Sequence, residues 1–219
     1  MPLDQLLLFV AAGLLLNLTP GPDVVYIVSN ALRGGVRLGM MAALGITAGC
    51  FVHIFAAAAG VSALMAASAT AFTALKWVGA AYLVYVGSRL LLSRTESTIK
   101  LGAACAHSTG ASGLFDYKLV FLRGFWTNVL NPKVAMFFLA FLPQFIGPTV
   151  EHKSLAFLLL GLLFNFNGLW VNLGWELAAS WLAGRANVVQ RSMLWLDRVA
   201  GALFVTFGIN LALSESPNA

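Results

Sequence analysis

The sequence predicts an all-α integral membrane protein of six transmembrane helices, arranged as two inverted three-helix repeats in which the first and fourth helices are broken. Three observations carry this. Sixty per cent of the 219 residues are hydrophobic and only 10% are charged, with a mean hydropathy of +0.86. A soluble domain carries about 25% charged residues, so a chain of this composition does not cover its own surface in water. Six apolar segments reach the roughly 20 residues that span a bilayer, and the second half of the chain repeats features of the first.

The spans are predicted at 3–32, 38–66, 69–92, 119–146, 153–183 and 194–213. The first has Asp4 and no Lys or Arg ahead of its apolar run, so it reads as a membrane helix rather than a cleavable signal. Thr19-Pro20-Gly21-Pro22-Asp23 interrupts it. Each proline lacks an N–H and clashes with a carbonyl one turn back, and the glycine between them loosens the backbone. A bilayer tolerates freed backbone groups and a carboxylate only where they face protein or a wet cavity. The stretch therefore reads as a binding or gating element.

The second span carries Gly45, Gly49 and His53 at steps of four, with Ala42 and Gly60 near the same line. Such spacing of small residues is a packing motif. His53 reads either as a proton relay or as a histidine held by a neighbouring carbonyl. The third span, Leu75–Ser93, matches Leu196–Ser214 in the sixth at a constant offset of 121, with eight identities in nineteen positions, including Val84/Val205 and Gly87/Gly208.

The fourth span is interrupted at Asn131-Pro132-Lys133, and Asn128 precedes this break as Asn17 precedes the first. The breaks thus occupy corresponding places in two three-helix halves, and an odd number of spans per half inserts them with opposite orientation. Inverted repeats with broken helices point to a transporter whose site lies near the bilayer midplane. In the fifth span, Gly161, Asn165, Gly168, Asn172 and Glu176 share one helical face, with Asn167 off it. That face is a packing seam or a cavity lining, and Glu176, nearer the cytoplasmic end, is in reach of the interface.

The chain reads as a single transmembrane domain over 1–219, with repeat one at about 1–93, a cytoplasmic linker at about 94–118 and repeat two at about 119–214. The polar interval is too short to build a soluble core. Of thirteen basic residues, ten (Arg33, Arg37, Arg89, Arg94, Lys100, Lys118, Arg123, Arg185, Arg191 and Arg198) fall on one side of the six-span topology. Positive residues favour the cytoplasm, which places both termini outside. The net charge of +5 needs no nucleic acid, since anionic lipid at the cytoplasmic leaflet accounts for it.

Cys50 and Cys105 give no disulfide framework, and Cys105 with His107 lacks a second ligand pair, so neither metal nor other cofactor is expected. Trp77, Tyr82, Tyr85, Trp126, Trp170, Trp175, Trp181 and Trp195 read as belt or packing residues. No Ser/His/Asp order, phosphate-binding glycine loop or His-Glu-x-x-His is present, so no residue is assigned a catalytic role, and no ATP motif supports a self-powered pump.

Asp23 and Lys133 form the sharpest pair. A charge at their depth costs about 2.5–3.5 kcal/mol, and each follows a helix-breaking proline. They pair with one another or grip the two ends of a zwitterion. Freed N–H groups of the second half-helix would help hold a carboxylate, and Asp23 is a candidate carrier of a coupling proton. The competing reading is a salt bridge that locks the halves.

At these residues the sequence resembles the LysE/RhtB family of amino acid exporters. The resemblance rests on Asn17-Leu18-Thr19-Pro20-Gly21-Pro22-Asp23, Arg33-Gly34-Gly35, Ala43-Leu44-Gly45 leading to His53, and Leu75-Lys76-Trp77-Val78-Gly79. In the second half it rests on Phe125-Trp126-Thr127-Asn128-Val129-Leu130-Asn131-Pro132-Lys133 and Phe141-Leu142-Pro143-Gln144-Phe145. It implies a plasma-membrane carrier that exports amino acids or close derivatives by proton exchange, and it draws attention to Pro20, Gly21, Pro22, Asp23, Asn131, Pro132 and Lys133. The scarcity of acidic residues beyond Asp23 and Glu176 favours neutral substrates. With Asn17, His53, Asn128, Asn165, Asn172 and Glu176, these residues make up the expected substrate- or ion-binding set. A membrane scaffold or partner subunit and a passive amino acid channel are the alternatives, and a homodimer is left open.

Overall fold

The computed structural model describes residues 3–61, 69–92, 116–147 and 150–181, together with 198–199, 201–203, 205–206, 208–209 and 212–213. The linker over 94–115, Cys105, His107, Arg94, Lys100, Arg185, Arg191 and Trp195 lie outside these residues. Among the described residues all regular structure is helical.

Helix α1 runs from Leu3 to Leu18 and stops at the first proline break. Helix α2, Pro22–Ala56, starts with its proline in the first turn, where a missing N–H costs nothing. Its backbone leaves helical geometry at Gly34 and at Gly35, whose φ of 68° is the left-handed region that glycine occupies without strain. A Cβ on Gly39 would sit 2.8 Å from the Cβ of Ala31. Eight residues of continuous helix would separate those positions by about 12 Å, so α2 is a hairpin with arms 22–33 and 36–56. A π turn, Ala57–Val61, extends the second arm, and the rest of the predicted span, residues 62–66, lies outside the described residues.

Helix α3 covers Ala69–Leu91. Helix α4, Tyr117–Val129, is capped by the Asp116 carboxylate, which accepts from the Leu119 amide at 3.1 Å. The short helix α5, Pro132–Met136, follows the second break and passes into a π turn at Phe137–Phe141 and a 3₁₀ turn at Leu142–Phe145. Helix α6 spans Lys153–Trp181.

Among the described residues, the run Pro22–Gly60, through its second arm and π turn, and the helix Lys153–Trp181 are long and apolar enough to cross a membrane. The pair Tyr117–Val129 and Pro132–Phe145, bent by 44°, makes a third if read as one span. Leu7, Phe55, Leu159 and Phe166 are exposed around the outside, as are Trp77, Trp126, Trp170 and Trp181. Apolar surface on this scale would drive association in water and suits hydrocarbon.

Two kinds of packing hold the bundle. The second arm of α2 lies directly on α4, because a Cβ on Gly45 or Gly49 would collide with the backbone carbonyls of Phe121 and Phe125. Absence of side chains there is what lets the backbones touch. At the other end, Phe9, Phe137, Phe138, Phe141, Phe157 and Phe164 form a buried aromatic plug, with Phe137 stacked on Phe164 at 4.4 Å.

Helix α3 packs antiparallel on the helical residues of 198–213. A Cβ on Gly87 would meet the carbonyl of Gly201 at 2.7 Å, and one on Gly208 would meet the carbonyl of Ala80 at 2.9 Å.

Candidate functional site

Each proline in the two breaks deprives one carbonyl of the amide that a continuous helix would have supplied. The carbonyl of residue i accepts from the amide of i+4, so Pro20 leaves that of Leu16 unmet and Pro132 leaves that of Asn128 unmet. Both gaps are filled by side chains from elsewhere. The Lys133 ammonium donates to Leu16 O and to Thr19 O, each at 3.0 Å. The Asn128 carbonyl lies 3.0 Å from His53 Nε2, which therefore donates, and it also accepts from the Asn131 amide at 2.9 Å.

The charges cross over between the breaks. Lys133 of the second break serves the carbonyls of the first, while Asp23 of the first accepts from Asn128 Nδ2 of the second at 2.9 Å. Asp23 is buried in the first turn of α2, where the helix dipole favours a negative charge. Gly21 allows the lysine to come this close. Its backbone is extended, which any residue can adopt, but a Cβ there would stand 3.1 Å from Lys133 Nζ.

Around this interlock lies a cavity of about 20 Å³, lined by Leu16, Asn17, Asp23, Val24, Ile46, Thr47, Cys50, Asn128, Lys133, Val134, Phe164, Asn165, Gly168 and Asn172. That volume has room for about one water. Asp23 Oδ1, Asn128 Oδ1 and Asn17 Nδ2 are buried here, and none has a hydrogen-bond partner among the described residues. Two acceptors and a donor therefore converge on a small enclosed space, with a carboxylate and an ammonium in its wall. Such a wall can hold a group carrying both an ammonium and a carboxylate.

Most of the expected set is brought together. Asn17, Asp23, Asn128, Lys133, Asn165 and Asn172 all line the cavity, and Pro20, Gly21, Pro22, Asn131 and Pro132 shape the two breaks. Asn165 Nδ2 also donates to Thr47 O at 3.2 Å. The α6 face proves to be both seam and lining, since a Cβ on Gly161 would press on Ile54 and Phe138 at 3.0–3.1 Å while Gly168 faces Asn17.

Three expectations are corrected. Glu176 does not reach the interface. It is 1% exposed, its Oε1 accepts from Ser180 Oγ at 3.1 Å, and Gly39 leaves room for its side chain. It stands outside the cavity wall. For His53 it is the place in the binding set that is corrected, since it is absent from the cavity lining. Of its two readings, the histidine held by a neighbouring carbonyl is the one found, bonded to the Asn128 carbonyl and stacked on Phe138 at 6.0 Å. The amide of Lys133 at the start of α5 is not free for a ligand, because Asn131 Oδ1 accepts from it at 3.0 Å.

Thr47 and Cys50 were not among the expected residues, yet both line the cavity. Their signal was position, one or two residues along the helix from the Gly45–Gly49 seam.

The family of LysE type translocators matches residues 14–215. Among individual relatives, an uncharacterized membrane protein of Vibrio cholerae is 32% identical over 96% of this chain and 97% of its own length. The uncharacterized membrane protein YrhP of Bacillus subtilis is 25% identical over 97% of this chain and all of its own length. The leucine efflux protein of Salmonella typhimurium is 25% identical over 95% of this chain and 94% of its own. No solved structure matches.

Proposed function

The chain belongs to the LysE type translocator family, and from that premise we propose that it is a secondary exporter of neutral amino acids across the plasma membrane. The observation that carries this reading is the enclosed polar cavity between the two proline breaks, with Asp23 and Lys133 both in its wall. Leucine is the first substrate to try, because the Salmonella relatives bear the name leucine efflux protein.

The proposal includes six spans in two inverted repeats. Its support is the reciprocity of the α3 contact, in which Gly87 meets Gly201 and Gly208 meets Ala80. A shift of 121 turns Ala80 into Gly201 and Gly87 into Gly208, so each contact is the other's image. Antiparallel equivalents meeting in this way are what a pseudo-two-fold axis in the membrane plane produces. The hairpin at Gly34–Gly35 supplies the turn between the first two spans. The positive-inside tendency of the basic residues supports a cytoplasmic side for this turn and termini outside.

In the closed state Lys133 and Asp23 tie the breaks together and the cavity is too small for an amino acid. Alternating access then requires the tie to part, exposing Asp23 and Asn128 to the ammonium of a substrate and Lys133 and Asn17 to its carboxylate. A proton on Asp23 would release the ammonium, which makes this carboxylate the site of coupling. Reconstituted vesicles with an imposed proton gradient test the reading. Leucine should move against its own gradient, and leucine movement that never exceeds equilibration would refute coupled export.

A further inference from the structure

A second recess, of about 470 Å³, lies between the first arm of α2 and α4 and is lined by Pro22, Val25, Tyr26, Ser29, Asn30, Arg33, Leu38, Asp116, Leu119, Val120, Arg123 and Thr127. It is within the range of small-molecule sites, about 300–1,000 Å³, whereas the central cavity is not. Resting on the exporter reading, we propose that this groove is the cytoplasmic receiving site for the substrate, with Arg33 and Arg123 holding the amino acid's carboxylate before it passes to Asp23 and Lys133.

Position supports this first. The groove ends at Pro22 and Thr127, and the next residues along the chain, Asp23 and Asn128, face the central cavity and are hydrogen-bonded to each other at 2.9 Å. The two spaces are thus lined by neighbouring residues of the same two helices, α2 and α4. The phenylalanine plug adjoins the cavity through Leu16, Cys50, Val134 and Phe164, none of which lines the groove. The groove's arginines belong to the basic set that the positive-inside tendency assigns to the cytoplasm.

Chemistry supports it second. Arg33 and Arg123 come from different helices, yet both line this one groove together with Tyr26. Tyr26 is fixed there by its bond to Val120 O at 2.9 Å. Guanidinium is the group suited to bind a carboxylate in a forked geometry. Asp116, across the same groove, supplies the opposite charge for an ammonium. The two arginines are exposed, which suits capture from solution and costs no burial of charge.

The test is transport of leucine supplied to the cytoplasmic face of reconstituted protein, comparing wild type with R33Q and R123Q in vesicles of phosphatidylcholine alone and with added phosphatidylglycerol. Loss of one exposed charge contact should raise KM about five- to tenfold with kcat within about twofold, in both lipids. Leucinamide, which lacks the carboxylate, should inhibit wild type and variants equally. An unchanged KM overturns the proposal. So does an effect confined to phosphatidylglycerol, which would make the groove a lipid headgroup site, and so does an equal loss of leucinamide inhibition. Wild-type protein that moves neither leucine nor any other of a panel of neutral amino acids overturns the exporter reading itself, an outcome distinct from altered KM in a working carrier.

Discussion

Lys133 Nζ lies 3.0 Å from the carbonyl oxygen of Leu16, the group that Pro20 deprives of its amide. A lysine on one broken helix thereby completes the hydrogen bonding of the other. This relationship changes what exchanging the two charges would do. A simple Asp23–Lys133 salt bridge would survive the swap, but an aspartate at position 133 would aim acceptors at the acceptor oxygens of Leu16 and Thr19. D23K/K133D is expected to lose both fold and transport. Lys133→Met, which only removes the donor, leaves two carbonyls unmet at about 1–3 kcal/mol each. Its apparent Tm in detergent should fall by roughly 10 °C, a shift that thermal unfolding followed by fluorescence would measure.

Gly21 separates stability from transport. An alanine there places a methyl 3.1 Å from Lys133 Nζ, against the far end of a flexible chain that can move aside. The expected stability cost is under about 1 kcal/mol, while displacement of the ammonium should lower kcat severalfold. Paired Tm and transport measurements on Gly21→Ala check this, and a large Tm loss would place the glycine's role in the backbone instead.

Gly45→Leu should fail outright. The collision there is with the backbone carbonyl of Phe121, which has no room to yield without parting α2 from α4. Loss of monodisperse protein on size-exclusion chromatography is the expected result, with Gly60→Leu, where nothing lies within 4 Å, as the tolerated control.

Asp23 and His53 make different demands on pH. If Asp23 carries the coupling proton, Asp23→Asn should abolish uphill transport and flatten its pH dependence while leucine exchange persists. His53→Gln keeps a donor for the Asn128 carbonyl and should leave the pH profile unchanged. Counterflow and gradient-driven uptake measured across pH distinguish the two. Loss of pH dependence in His53→Gln alone would move the coupling site to the histidine.

Much of this architecture was legible in the sequence because proline acts locally. Pro20, Pro22 and Pro132 end helices wherever they stand, and Asp23 and Lys133 beside them needed a shared polar space. The face from Gly161 to Glu176 was readable from spacing alone. What spacing does not contain is distance across the bundle. That Lys133 would cap Leu16, and Asn128 meet Asp23, depends on how the two breaks are set against each other. The same limit explains Glu176, whose burial follows from Gly39 on another helix, and Cys50, which reads as an ordinary small apolar residue until Asn165 and Lys133 are placed opposite it.

The most direct measurement of the central claim uses Cys50, which is buried in the cavity wall. In a Cys105→Ser background, a small membrane-permeant thiol reagent should label Cys50 when the substrate-free carrier opens its cavity. Saturating leucine should slow that labelling severalfold, with no protection in Asp23→Ala. Labelling that leucine leaves unchanged in a variant still transporting it would show that the substrate passes elsewhere, and would contradict a binding site between the two breaks.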